Sequence, residues 1–309
     1  MAFPREPGHP DYAAGGRSKF IPEIWSGKIL TKYYDYTVLS QITNTDYEGE
    51  IKKQGDTVII RSIPDITVVD HAIGQTVTYE RPESQAITLL IDKGKRWAIE
   101  LDNIVKVQSD LPLLNKWTDD AAMQMKISIE RSFFNDSSIY AGMAAANAGS
   151  SAGRISGDIN LGTVASPVTI SKDNVIDFIV DCGTVLDEQN VPETGRWFVI
   201  PTWMAGMIKK SDVKDASMMG DGTSVLRNGR IGMIDRFTLY SSNLLYKTSN
   251  KFVALFGVRD AITFATQIVK TDHIPTPSDA FAERVRGLQV YGYKTIKPEA
   301  YGALIITKG

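Results

Sequence analysis

The chain has 309 residues, 43% of them hydrophobic, and a formal net charge of −2. That composition supports one large or two ordinary packed domains, excludes global disorder, and leaves no basic footprint for nucleic acid. Its single cysteine, Cys182, excludes an intramolecular disulfide framework, as suits a chain matured in a reducing cytoplasm or one that does not depend on cysteine.

Residues 1–19 carry Pro, Gly and mixed charge but no apolar run of the signal-peptide kind, and read as an N-terminal arm. No stretch approaches the ~20 apolar residues of a membrane helix, so no membrane partner is expected. In KFIPEIWSGKILTKYYDYTVLSQITN, the residues Ile24, Trp25, Ile29, Leu30, Tyr33 and Tyr34 recur at near-helical spacing, interrupted by Pro22 and Gly27. An apolar segment after a polar tail docks on its own domain or on a neighbouring subunit.

Gly55 to Asp102 reads as strands throughout. Thr57–Ile60, Ala86–Ile91 and Trp97–Leu101 are apolar enough to sit in a sheet. Between them ITVVD (Ile66 to Asp70) and TVTYE (Thr76 to Glu80) form a hairpin turning near Gly74, thin in core residues. An isolated two-stranded hairpin is marginal in water, so this one should lie against another surface. Leu114, Trp117, Ala121, Met125, Ile129 and Phe133 then step by three or four along a long helix, Leu111 to Phe134, about 36 Å at 1.5 Å per residue. Ser109 or Asp110 is its expected cap and Pro112 fits its first turn, while Lys116, Asp119, Asp120, Lys126 and Glu130 form its polar side. The helix is open to continuation into IYAGMAAANA.

Residues 147–170, rich in Gly, Ser and Ala, read as a domain crossing. An α/β pattern follows. A helix capped by Ser171 carries Val175, Ile176, Ile179, Cys182, Val185 and Leu186 on one face. GRWFVIP is a buried strand, TWMAGMIKK a short helix closed by lysines, and IGMIDRFTLYSS, KFVALFGV and ITFATQIVK are strands with a helical turn near Val258–Ile262. GLQVYGYKTIKPEAYGALIITKG gives two strands around KPEA. The fold class is therefore α+β, with the first and last thirds forming one domain and the middle another.

Little points to catalysis. Gly149–Gly153 matches G-x-S-x-G, but a helix end precedes Ser151 and polar residues follow, against the strand–turn–helix that a nucleophilic serine requires. His9, His71 and His273 sit in polar or Pro-bearing segments. No metal-ligand or phosphate-loop motif occurs, and no cofactor or metal is expected. The pairs Lys52–Lys53, Lys93–Lys95–Arg96 and Lys209–Lys210 read as solubilising surface, or as sequence-independent phosphate contacts.

Five stretches in order carry a family resemblance: FIPEIWS with GDTVIIRSIPDITVVD, TLLIDKGKRWAIELDNIVKVQS, NVPETGRWFVIP, RNGRIGMIDRFTLYSSNLL and ALFGVRDAITFATQI. From about Phe20 to the end, the chain resembles the major capsid (coat) proteins of tailed bacteriophages, of the Hong Kong 97 type. The closest-looking branch assembles with a separate scaffolding protein. The resemblance implies an N-terminal arm (1–36), P-domain strands (37–62), an E-loop hairpin (63–85), a P-domain with spine helix 111–134 (86–153), an A-domain (154–280) and P-domain return strands (281–309). It implies no catalysis, but a homo-oligomer of pentamers and hexamers in an icosahedral shell around double-stranded DNA. Scaffolding protein and portal are further implied partners, the place is the virion capsid, and assembly is in the bacterial host cytoplasm. On this reading Trp25, Tyr33, Tyr34, Ile66, Val68, His71, Val77 and Tyr79 are the suspected subunit-interface residues. The pattern departs at Asp235–Arg236, where glycine is expected. An encapsulin-like compartment shell is the alternative within the fold, and a serine hydrolase using Ser151 is the alternative outside it.

Overall fold

The computed structural model describes residues 34–46, 57–61, 63–64, 66–84, 86–104, 113–211, 232–275, 277 and 281–309. The expected arm as far as Tyr33, the Ser109 or Asp110 cap, and Pro112 lie outside these residues.

Two sheets organise the described chain. The first is antiparallel, with strand order β10–β11–β3, built from β3 (Lys93–Asp102), β10 (Ile262–Ile274) and β11 (Ala282–Thr295). One of its faces carries Tyr291 and Tyr293. The long helix α2 (Leu113–Phe134) packs there, with Phe133 edge-on to Tyr293 at 5.1 Å between ring centres. The opposite face receives a short antiparallel pair, β1 (Thr57–Arg61) and β2 (Ala86–Leu90). Val58, Ile60 and Leu89 of this pair close on Ala265 with Ile91. Gly292 makes this possible, because a Cβ there would strike the Leu90 carbonyl of β2.

The second sheet has seven strands, in the order β4–β12–β9–β5–β7–β6 with β8 beside β9. They are β4 (Val168–Ile170), β5 (Arg196–Ile200), β6 (Met233–Ile234), β7 (Phe237–Ser241), β8 (Lys247–Thr248), β9 (Lys251–Val258) and β12 (Tyr301–Lys308). Every residue of β5 is buried, as expected of a strand covered on both faces. Phe198, Phe237 and Phe256 meet at its centre with ring centres 5.6 to 6.2 Å apart. Helix α4 (Val175–Glu188) buries Val175, Ile179, Cys182, Val185 and Leu186, the face its spacing predicts, and α5 (Thr202–Lys210) buries Met204, Ala205 and Ile208.

Several expectations are corrected. ITVVD and TVTYE form no regular strands; the ladder of β1 and β2 stops at Arg61 and Ala86. The long helix keeps its expected end and does not take the continuation into IYAGMAAANA that the sequence left open. It ends at Phe134, and Asp136 accepts the Ser138 N–H at 2.9 Å to cap a new helix, α3 (Ser137–Ala141). Glu130 is not on the polar side of α2 but buried. Ser171 is not the cap of α4: Asn174 holds that position, its side chain accepting the Ser171 N–H and donating to Thr169 O. Residues 147–170 are tied into the fold by backbone bonds such as Leu161 N–H to Gly149 O and Ile305 N–H to Leu161 O, both 2.8 Å. Sheet membership also departs from the expected segments. β10 pairs with β11 rather than with the 154–280 strands, and β12 leaves β11 to pair with β9 and β4. A strand joins the sheet whose edge it meets, and that depends on long-range register rather than on position in the chain.

The chain passes between the sheets three times: from β3 to β4 by way of α2 and α3, and at two adjacent turns, Arg259–Ala261 from β9 to β10 and Pro298–Ala300 from β11 to β12. Ala261 O accepts the Ile296 and Lys297 N–H groups, and Lys297 pairs with Asp260 at 3.6 Å.

Candidate functional site

The described residues from 63 to 84 form a loop that projects from β1 and β2 and is exposed at almost every position. Local bonds shape it, among them the Ala72 N–H to the Gln75 side-chain oxygen at 3.1 Å. The Gln75 N–H donates to Ala72 O at 3.1 Å at the turn, and the Thr67 N–H donates to the Glu80 carboxylate at 3.2 Å across the limbs. Ile66 and Val68 stand on one limb, Val77 and Tyr79 on the other, with His71 at the tip. All are exposed, Val68 to 94% and Tyr79 to 92%. Ile63, Val69 and Ile73, not singled out from the sequence, are exposed with them. Apolar exposure on this scale is unusual for a monomeric surface. The signal was in the sequence: β-branched residues recur through this stretch, without the apolar neighbours that would bury them.

Tyr34 stands apart from the loop. Its hydroxyl donates to Asp120 of α2 at 2.8 Å, and this bond to a carboxylate raises the phenol's pKa. Trp25 and Tyr33 lie outside the described residues. After Tyr34 the chain runs along α2: Asp35 approaches Arg131 at 3.7 Å, and Val38 and Ile42 enter the core. The Val38 and Leu39 N–H groups donate to Glu130 at 2.7 and 2.9 Å, at the start of the short helix α1 (Leu39–Ile42). Burial pushes the Glu130 carboxyl above the usual range, opposed by these two N–H groups and by the Ser242 hydroxyl. Glu130 lies three residues after Ile127 and four before Phe134, a spacing that fits the buried side, but its acidic side chain reads as surface until the Val38 and Leu39 N–H groups are in view. A cavity of about 370 Å³ opens here between Thr37, Ser40, Lys126, Glu130 and Phe264.

Asn147 is another buried polar residue, one whose burial the sequence did not disclose. Its amide nitrogen donates to Glu299 O at 2.7 Å and Tyr301 O at 2.9 Å, and its oxygen accepts from Gln189 at 2.9 Å. It fixes the crossing into β12 to the end of α4. A cleft of about 490 Å³ beside it is bordered by Asn190, Pro192, Arg259, Asp260 and Lys297.

Ser151 is exposed, in a turn that follows the 3-10 turn Ala145–Asn147 and leads to the isolated bridge Ala152–Ile159. This is not the setting of a nucleophile elbow. His273 is exposed and lies 3.8 Å from Glu283. Among the described residues no group of three His, Cys, Asp or Glu side chains is placed to hold a metal ion, and no helix is long and apolar enough to cross a membrane.

No family profile and no curated protein matches the chain. Solved structures do. One from Mycobacterium phage Che8 superimposes with a TM-score of 0.75 at 25% identity, over 94% of this chain and 98% of that one. The capsid structure of Cyanophage P-SCSP1u gives 0.70 at 12% identity, over 94% and 93% of the two chains. The capsid of a native GTA particle gives 0.65 at 12%, over 96% and 98%. The chain thus resembles phage capsid structures in fold over nearly its whole length.

Proposed function

We propose that the chain is a major capsid protein: a structural subunit, without catalysis, whose copies form pentamers and hexamers and close into an icosahedral shell around phage double-stranded DNA. One observation carries the reading. A loop bearing exposed Ile63, Ile66, Val68, Val69, Ile73, Val77 and Tyr79 has no core behind it, in a chain whose fold is that of phage capsid structures. On this reading residues 63–85 are the E-loop, laid over a neighbouring copy. Residues 1–36 are the arm, α2 is the spine helix of the P-domain, and the seven-stranded sheet with α4 and α5 is the core of the A-domain. Many weak contacts of this kind sum over a closed lattice to a stable particle. The near-neutral net charge suits a container, since a strongly basic wall would hold packaged DNA too tightly. A scaffolding protein and a portal are the further partners of the reading, in a particle assembled in the bacterial cytoplasm.

Negative-stain electron microscopy of the protein, expressed alone and with its neighbouring genes, tests this directly. Closed shells or curved sheets are expected. Only discrete monomers or dimers in both samples would sink the reading.

A further inference from the structure

Helix α1 cannot cap itself. The Val38 and Leu39 N–H groups at its start have no helical partner, and valine at the cap position has no side-chain acceptor to offer them. The cap comes from α2 instead. Glu130 Oε2 accepts both N–H groups, at 2.7 and 2.9 Å, from residues 92 and 91 positions earlier in the chain. Past α1 the segment is fastened by neutral backbone bonds. The Asn44 N–H donates to Ile262 O at 3.0 Å, and the Phe264 N–H donates to Asn44 O at 2.9 Å. Residues 37–42 thus form a strap, fixed to β10 beyond its far end and held at its near end through a carboxyl.

That carboxyl is poorly provided for. Glu130 is 1% exposed, and its second oxygen, Oε1, has no hydrogen-bond partner among the described residues. The nearby charges are engaged elsewhere or turned outward. Lys126, one turn earlier on α2, is exposed at the border of the cavity, and no described residue forms an ion pair with Glu130. Arg131 pairs with Asp35 at 3.7 Å, and Arg259 donates to the Ser40 and Thr43 carbonyls at 3.4 to 3.5 Å. From the sheets, Phe264, Thr266 and Gln289 border the cavity and Ser242 lies near the carboxyl, none with a charge. The same cavity borders Thr37, Leu39 and Ser40, so part of the strap is unpacked. We propose that residues 37–42 are a pH-operated strap, closed on α2 while Glu130 is protonated and shifted toward an open state when Glu130 ionises and its carboxylate reaches water. A buried charge with an unpartnered oxygen costs more than the buried neutral acid. In the closed state burial therefore raises the Glu130 pKa, against the pull of the two N–H groups. Open, the group titrates as an ordinary glutamate. Closing thus takes up a proton. The strap is held most firmly below the ordinary glutamate range and loosens as pH rises through the raised value, the open population growing by at most about tenfold per pH unit. The inference goes beyond the shell reading, because it concerns the unassembled chain and needs no neighbour.

Amide hydrogen exchange in the full chain, kept unassembled, tests it. The rates at Val38 and Leu39 are divided by the intrinsic rate at each pH between 4 and 8, which leaves the open population. Protection at both amides is expected to fall with rising pH, by up to about tenfold per unit, and then to level off. In Glu130→Gln it should be the same at every pH. Urea below the unfolding transition separates opening of the strap from unfolding of the chain: it should speed exchange in the buried strand β5 and leave Val38 and Leu39 unchanged. Protection in the parent that does not change with pH would overturn the proposal. So would the same pH dependence in Glu130→Gln, or exchange of Val38 and Leu39 only in step with β5. The first and last of these are read on the parent chain, so the test holds even where the variant fails to fold.

Discussion

Asn147 and Glu130 are single side chains that hold main chain from distant parts of the sequence. Replacing Asn147 with Ala leaves the Glu299 and Tyr301 carbonyls and the Gln189 amide without their partner inside the protein. A loss of about 1–3 kcal/mol is expected in urea unfolding, the range for buried polar groups left unsatisfied. Glu130 behaves differently because its charge is the costly part. Its carboxyl titrates above the usual range when folded, so folding favours the protonated form. The stability this group contributes is full below the ordinary glutamate pKa and is lost as pH rises through the raised value. Glu130→Gln keeps an acceptor for the Val38 and Leu39 N–H groups without the charge. Its stability relative to the parent should therefore rise between pH 4 and pH 8, in paired unfolding curves; a flat difference would refute the assignment. Asp136 has the opposite sign. Burial would raise its carboxyl, but the Tyr293 hydroxyl, the Ser138 N–H and Lys93 bring it down to about 2. Its contribution is present above the usual aspartate range and fades as pH falls through about 2. At neutral pH Asp136→Ala should cost about 1–2 kcal/mol through the lost cap of α3 alone.

The β6–β7 hairpin shows how an element can depart from its expected sequence. A two-residue connection with both residues at positive φ suits glycine and asparagine, yet Asp235 and Arg236 occupy it at φ 44° and 65°. The compensation is visible. Arg236 pairs with Asp187 at 2.8 Å and Glu193 at 2.7 Å, and Gly183 of α4 leaves room for the Asp235 carboxylate. Arg236→Ala keeps the strained backbone and loses both ion pairs, whereas Arg236→Gly loses the pairs but relieves the strain. The glycine variant should be the more stable of the two by roughly 1 kcal/mol, and equal midpoints in denaturant would argue against strain there. Helices α4 and α5 and strand β5 were legible in the sequence, because their apolar spacing is local and strong. The end of α2 at Phe134 was legible as well, but not what stops the helix there, since Asp136 acts through a cap rather than through periodicity. The sheet that takes β12 was not legible either, because nothing within Tyr301–Lys308 distinguishes one partner edge from another.

At the scale of the whole molecule, the proposed function has stability and association draw on different residues. Val68→Asp and Tyr79→Asp alter side chains that are almost wholly in solvent, so monomer stability should stay within about 0.5 kcal/mol of the parent. The same variants should fail to form shells under the electron microscope, and normal particles from either would remove the loop from the interface. The loop was legible in advance because it pairs β-branched residues with a shortage of core. The contribution of Glu130 and Asn147 was less so, since a buried polar residue reads like a surface one until its partners are known. The paired turns Arg259–Ala261 and Pro298–Ala300 bear on how such a molecule responds to load. A single covalent crossing between two sheets acts as a swivel, about which either body twists at little cost. Two crossings side by side, bonded to each other through Ala261 and the Lys297–Asp260 pair and pinned by Asn147, act as a plate. Torque applied at the projecting loop should therefore pass through β2 and β11 into that plate, and the seven-stranded sheet is expected to turn with it instead of lagging behind.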